Sequence, residues 1–255
     1  MRYHLDTIPV WDAAKLDGEC LFCALERHIE LGEAQRYLGA SVMEPDTRVQ
    51  VNEKGFCTKH HAMLFSMSNR LGHALMLESH TAETIRRINK YMDELRKSAD
   101  VLESTIAPGK TKAARENVLS VAEKVAALEG SCIMCDSIHE NMDRYLHTFF
   151  HLWKNDEEFR NRFASCKGTC LNHLARLISM AEKELSGKEL SRFLRIVTNL
   201  EQTNLDRIQT DISWFIKKFD YRYENESWKN SKDAVERTVN KLRSWCVGKE
   251  PWPED

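Results

Sequence analysis

Apolar residues recur three and four positions apart along most of this chain, and no alternating apolar and polar run is long enough to mark a strand. Met63, Leu64, Met67, Leu71, Leu75, Ile85, Ile88 and Met92 follow the helical spacing, with a break near the middle, and predict a long helix ending near residue 98. The "APGK" at 107–110 interrupts the pattern, and a further helix is expected over 111–130, stopped by Gly130. The same spacing predicts helices over 132–153, from 174 onward and over about 187–219. A last helix is opened by Ser231, with Asp233 in its first turn. The expected fold class is all-α, with long antiparallel helices.

Composition narrows the function. The chain has 255 residues, 42% hydrophobic and 30% charged, enough for one sizeable core or two small ones. Ten Gly and five Pro leave few turns, which agrees with long helices. Lys plus Arg number 37 against 39 Asp plus Glu, so no basic footprint for nucleic acid exists. Neither a signal-peptide core nor an uninterrupted apolar run of membrane-spanning length is present, so no membrane partner and a cytoplasmic location are expected. In that compartment eight cysteines point to metal binding or thiol chemistry rather than to disulfides.

The cysteines are organised as a repeat. "GECLFC" returns as "GSCIMC", and "GFCTKH" returns as "GTCLNH". Cys20 and Cys23 map onto Cys132 and Cys135 at an offset of 112, and Cys57 and His60 onto Cys170 and His173 at 113. The flanks repeat too: "HHAMLFSM" aligns with "HLARLISM". A duplicated unit is expected, with a first zinc-binding repeat over 1–110 and a second over 111–255. Three thiolates and one imidazole make a closed four-coordinate set suited to tetrahedral Zn²⁺, two ions per chain, with an iron–sulfur cluster as the alternative occupant. Pairing each motif with its neighbour in sequence expects Cys20, Cys23, Cys57 and His60 around one ion. Cys132, Cys135, Cys170 and His173 then surround the other. Gly55 and Gly168 would let the backbone turn sharply toward the metal. His61 competes with His60, but its counterpart is Leu174, so His60 is the expected ligand.

Other chemistry competes for the same residues. "CIMCDSIH" resembles the thiol motif of all-helical alkylhydroperoxidase-like proteins, in which a low-pKa cysteine reduces a peroxide. The first repeat breaks that pattern, with His28 five residues after its second cysteine. His139, Asp143, His147 and His151 fall every four positions and could form a metal-dependent site, although a step of four drifts about 40° per turn. His73 and His80 carry a weaker version of the same signal. The "PGKT" at 108–111 lacks the earlier glycine and the preceding strand of a phosphate loop and reads as a turn. Cys166 and Cys246 are expected to be buried thiols. Two unrepeated segments are candidates for a ligand or partner contact: one carries Glu44, Asp46 and Arg48 around Pro45, in what reads as a loop. The other carries Asp220, Tyr221 and Arg222 between Lys218 and Trp228, and reads equally as a polar helix end closing over a core.

The segments "YHLDTIPVWDA", "CLFCALE", "SVMEPDTRVQVNEKGFC", "NRLGHALML" and "CIMC…RYL…LWK…F…GTCLNH" resemble a bacterial family known as domain of unknown function 6062. The likeness runs over nearly the whole chain and implies a prokaryotic cytoplasmic protein with paired metal-ligand motifs. It implies no activity. The residues favour a non-enzymatic interaction or small-molecule-binding module whose partner is a protein, a small molecule or a second copy in a homo-oligomer. A thiol peroxidase or a metal enzyme is the alternative.

Overall fold

The structure, a computed structural model, describes residues 3–104 and 107–253. Among them it is all-helical, with eleven α-helices, two short 3₁₀ turns and no strand. In chain order these are α1 (Tyr3–Lys15), α2 (Leu21–Leu38), α3 (Pro45–Lys54), α4 (Thr58–Ser66), α5 (Arg70–Ser104) and α6 (Pro108–Glu129). There follow α7 (Ile133–Asn155), α8 (Glu157–Ala164), α9 (Leu171–Glu184), α10 (Gly187–Lys217) and α11 (Ala234–Arg243). The break expected within the first long helix falls at Met67, where the backbone turns extended and Asn69 takes over, accepting the Gly72 amide and donating to Leu38 O.

Two compact units result: Met1–Ile29 with Glu140–Asp255, and Glu30–His139. They differ from the division at 110/111 that the repeat suggests, because the N-terminal 29 residues pack with the C-terminal half of the chain. In the first unit α1 lies on α8, and Arg162 closes its C-terminus by donating to Ala14 O at 2.6 Å and Lys15 O at 2.9 Å. The core of this unit is aromatic. Phe149 meets Phe22, Phe150, Phe159 and Phe163 at 4.9–5.4 Å between centroids, and Trp153 stands edge-on to Phe193 at 4.9 Å. Edge-to-face pairs of buried rings hold more firmly than their area alone implies, by about 1 kcal/mol each.

In the second unit α5 and α6 form an antiparallel hairpin, since Asn117 reaches Ser98 while Lys124, further along α6, reaches Glu94, further back on α5. The core gathers Tyr37, Val51, Phe56, Leu64, Met76 and Met134. The segment read as a loop around Glu44 is instead the 3₁₀ turn Ala40–Met43 followed by α3. Pro45 occupies the first helical turn, where its missing N–H would have no partner anyway, so it opens a helix rather than breaking one.

Candidate metal centres

All eight residues of the repeated motifs stand at helix N-termini. Cys20 immediately precedes α2 and Cys132 immediately precedes α7, while Cys57 and Cys170 are the N-cap residues of α4 and α9. Cys23, His60, Cys135 and His173 each occupy the third helical position of the same helices. A cap and a third residue project to the same side of a helix start, which explains why both motifs carry the x-x spacing. Cys57 and Cys170 share nearly one backbone conformation, with φ −73° and −74° and ψ 168° and 162°. Helix N-termini favour negative charge, about half a unit each. Two of them at one centre therefore offset the single net negative charge of a divalent ion held by three thiolates.

The structure joins these pairs differently from the sequence expectation. Cys20 and Cys23 group with Cys170 and His173, forming centre 1 within the first unit; Cys57 and His60 group with Cys132 and Cys135, forming centre 2 within the second. Neither set is the within-repeat one. The reason lies in how weakly chain entropy ranks the alternatives. Cys23 and Cys170 are 147 positions apart instead of the 34 separating Cys23 from Cys57. Lengthening the closed loop that much costs only about 1 kcal/mol. Packing of α2 against the C-terminal aromatic core outweighs it, with Phe22, next to Cys23, lying 5.8 Å from the His173 ring.

The geometry suits one ion in each centre. In centre 1, Cys23 and Cys170 Sγ lie 3.7 Å apart, and His173 Nδ1 is 3.5, 3.5 and 3.2 Å from the sulfurs of Cys20, Cys23 and Cys170. In centre 2, Cys57 and Cys135 Sγ are 3.7 Å apart, and His60 Nδ1 is 3.3, 3.2 and 3.5 Å from Cys57, Cys132 and Cys135. A tetrahedron with Zn–S near ~2.3 Å and Zn–N near ~2.0 Å has edges of roughly 3.8 and 3.5 Å. These match. A disulfide needs a separation of about 2 Å, and a cluster with each sulfur on its own iron needs a wider set.

Both histidines present Nδ1 to the sulfurs and turn Nε2 to a carboxylate. His60 Nε2 is 3.1 Å from Glu30 Oε1, which also receives Lys59 Nζ at 2.6 Å. His173 Nε2 is 3.3 Å from Glu26 Oε2, at a less aligned angle. Such a carboxylate fixes the tautomer and ring orientation of a ligand histidine. Sequence reasoning missed both acids. Their spacing gives a signal in retrospect, since Cys23, Glu26 and Glu30 share the i, i+3, i+7 face of α2.

The local fields already separate charge. Burial alone would push the His60 imidazolium pKa down, but its hydrogen bonds to Cys132 and Glu30 prevail and raise it to about 9. Burial works against the Cys132 thiolate, yet His60 and the Cys135 amide bring Cys132 down to about 6. Partial burial and the Cys132 sulfur push Cys135 up. In centre 1 hydrogen bonds from Cys20, Cys23 and His173 pull Cys170 far down, and His173 rises despite its burial. These shifts favour a thiolate on Cys132 beside an imidazolium on His60, and a thiolate on Cys170 beside an imidazolium on His173. Loading displaces the imidazolium proton and those of the raised thiols. Zinc titration at neutral pH in two buffers of different ionisation enthalpy should show about two or more protons released per ion. A value near zero would mean that the thiols and the imidazoles had all lost their protons beforehand.

Each Cys-x-x-His turn rests on a left-handed glycine. Gly55 has φ +63° and Gly168 has φ +79°, and a Cβ on them would sit 2.5 Å from His80 Nε2 and 2.6 Å from Glu201 Oε1. Alanine would be strained in this conformation at either position and would force His80 or Glu201 to move. Behind the second turn, Glu201 accepts the Thr169 amide at 2.6 Å and its hydroxyl at 2.9 Å, and pairs with fully buried Lys241 at 2.8 Å. Behind the first, His80 Nδ1 lies 3.1 Å from Asn52 O.

The remaining candidates do not assemble. Asp143 pairs with Arg176 at 2.8 Å, His147 with Glu184 at 2.7 Å, His151 lies beside Asn155, and His139 is exposed. They belong to neither metal-competent group. His61 turns away from the sulfurs to His73, 3.1 Å off, and burial lowers the pKa of both. Glu44 and Asp46 are exposed, whereas Arg48 turns inward to Ser79 at 2.7 Å. Asp220 caps the 3₁₀ turn Tyr221–Tyr223 and pairs with Arg222, which holds its carboxyl below the usual range. Lys218 donates to the carbonyls of Tyr223, Glu224 and Glu226 at 2.6–2.8 Å, so this segment closes the end of α10. Cys166 is half-buried, while Cys246 is exposed, against expectation, because the chain beyond α11 runs over the surface with its amide tied to Asn240. The first unit also holds a cleft of about 600 Å³ beside centre 1, lined by Asp17, Glu19, Lys167, Arg237, Asn240 and Trp245.

Fold and geometry together define an all-helical protein with two candidate Cys₃His metal groups, in which no described helix is long and apolar enough to cross a membrane. The chain belongs to the family described as "Family of unknown function (DUF6062)", which matches residues 1–249. It is 20% identical over 234 residues, 92% of this chain and 94% of the relative, to the "Uncharacterized 23.9 kDa protein in xynA 3'region" of Caldicellulosiruptor sp. (strain Rt8B.4). No solved structure matches significantly.

Proposed function

We propose that this is a cytoplasmic zinc protein whose two Cys₃His centres, descended from one duplicated motif pair, are structural, and which serves as a non-enzymatic interaction or small-molecule-binding module. The observation that carries the reading is the pair of complete four-ligand sets at tetrahedral spacing, each with its histidine turned to a carboxylate. Four protein ligands fill the coordination sphere of zinc and leave no position for substrate, which is the mark of a structural rather than a catalytic site. Cys20, Cys23, Cys170 and His173 would hold one ion, and Cys57, His60, Cys132 and Cys135 the other. What zinc supplies is cross-linking of helix starts distant in sequence.

The thiol-peroxidase alternative draws less support, because each Cys-x-x-Cys meets a Cys-x-x-His at tetrahedral spacing, a set in which a metal would hold all three sulfurs. Two members of the histidine stripe, Asp143 and His147, are held in ion pairs with Arg176 and Glu184. A small polar molecule would find its place more readily in the cleft beside centre 1 than at residues 44–48, since 600 Å³ lies within the usual range for ligand pockets. Elemental analysis of protein purified without chelator tests the reading. Two zinc per chain is the expected result, and iron or no metal would overturn it.

A further inference from the structure

The two centres differ in what surrounds their sulfurs. In centre 1 all four residues are buried, with Cys170 fully so. The chain after α11 also covers it: the Trp245 amide donates to Cys23 Sγ at 3.3 Å, and Ser244 Oγ lies 3.2 Å from Cys170 Sγ. In centre 2 His60 and Cys132 are buried, but Cys57 is half-buried and Cys135 is exposed. Although Cys20 and Cys23 border the cleft beside centre 1, Cys57 and Cys135 are the least buried of the eight ligand residues, and their sulfurs face each other at 3.7 Å.

We propose that Cys57 and Cys135 form a peroxide-sensitive modification site, at which oxidation to a disulfide ejects the ion of centre 2 while centre 1 keeps its own. This rests on the reading of both groups as zinc centres. Oxidation of cysteine follows thiolate character and exposure, and zinc ligands are held as thiolates. The Cys135 thiolate attacks one oxygen of hydrogen peroxide: an S–O bond forms, the O–O bond breaks and hydroxide leaves. The Cys57 thiolate then attacks the resulting sulfenic sulfur. An S–S bond forms, the S–O bond breaks and a second hydroxide leaves. Two electrons have passed from the two sulfurs to the peroxide. Closing the bond requires the sulfurs to approach from 3.7 Å to about 2 Å. His60 and Cys132 remain, and two ligands do not retain the ion.

The test uses the full chain carrying Cys246→Ser, which removes the exposed thiol outside both centres. Its zinc is counted before treatment. Hydrogen peroxide is then added with a chromogenic zinc chelator present, and the product is mapped by peptide mass spectrometry. The expected result is one zinc released roughly tenfold or more faster than the other, together with a Cys57–Cys135 disulfide and recovery of the second zinc after dithiothreitol treatment. Release of both ions at one rate, or a first disulfide within Cys20, Cys23 and Cys170, overturns the proposal and leaves the zinc reading intact. Protein without zinc at the outset overturns both.

Discussion

Replacing Cys20 together with Cys57 by serine should leave the chain with neither of its two proposed zinc ions, whereas replacing Cys20 together with Cys170 should remove one and leave the other. The two double variants separate the observed grouping from the within-repeat one, which predicts the reverse outcome. Each measurement is a zinc-to-protein ratio on refolded chain, so it survives a loss of structure in one unit. The energetic consequence is large. A structural zinc contributes on the order of 10 kcal/mol to folding, comparable with the whole stability of a domain at about 5–15 kcal/mol. Cys170→Ser alone should therefore abolish amide protection across Met1–Ile29 and Glu140–Asp255, and Cys20→Ser added to it should cost nothing more. Finding one zinc in the Cys20→Ser, Cys57→Ser chain would refute the grouping.

That grouping marks where the sequence ceased to be legible. Periodicity sufficed for the long helices: the expected spans 111–130 and 187–219 lie within two residues of Pro108–Glu129 and Gly187–Lys217, except for the first start at Pro108, three residues early. It missed α3 because PDTRVQVNEK is polar nearly all round, burying only Thr47 and Val51, so no apolar stripe declares a helix. It missed α8 because eight residues span barely two turns, although Asp156 accepting the Phe159 amide is a readable cap. The eight residues of the two Cys/His groups were visible, because a cap and a third helical residue must be three positions apart. Which pair meets which was not, because it depends on core packing between segments far apart in sequence, and loop length discriminates by only about 1 kcal/mol. Glu26 and Glu30 fall between the two cases, sharing a face with Cys23 but identified only once the histidines are in place.

Lys241→Met should destabilise the metal-loaded protein by about 3–5 kcal/mol in urea unfolding, because it leaves the Glu201 carboxylate buried without its counter-charge. Lys241 is fully buried and donates to Glu201 Oε2 and to Lys167 O, both at 2.8 Å. The exposed pair of Arg96 and Asp93, with side chains 75% and 62% accessible, sets the contrast: Arg96→Ala should cost less than about 0.5 kcal/mol. Adding Glu201→Gln to Lys241→Met should recover part of the loss, since glutamine removes the stranded charge and its amide oxygen still accepts from Thr169. Recovery would identify the unpaired charge, rather than a cavity, as the cause; a larger loss in the double variant would exclude it. The effect should also reach the metal. Glu201 fixes Thr169 and fills the space beneath Gly168, the turn that sets Cys170 at the start of α9. Loosening that turn weakens one ligand of centre 1 and none of centre 2. In Lys241→Met a chelator should therefore draw the ion of centre 1 faster than in the parent protein and that of centre 2 at an unchanged rate, which confines the effect to the first unit.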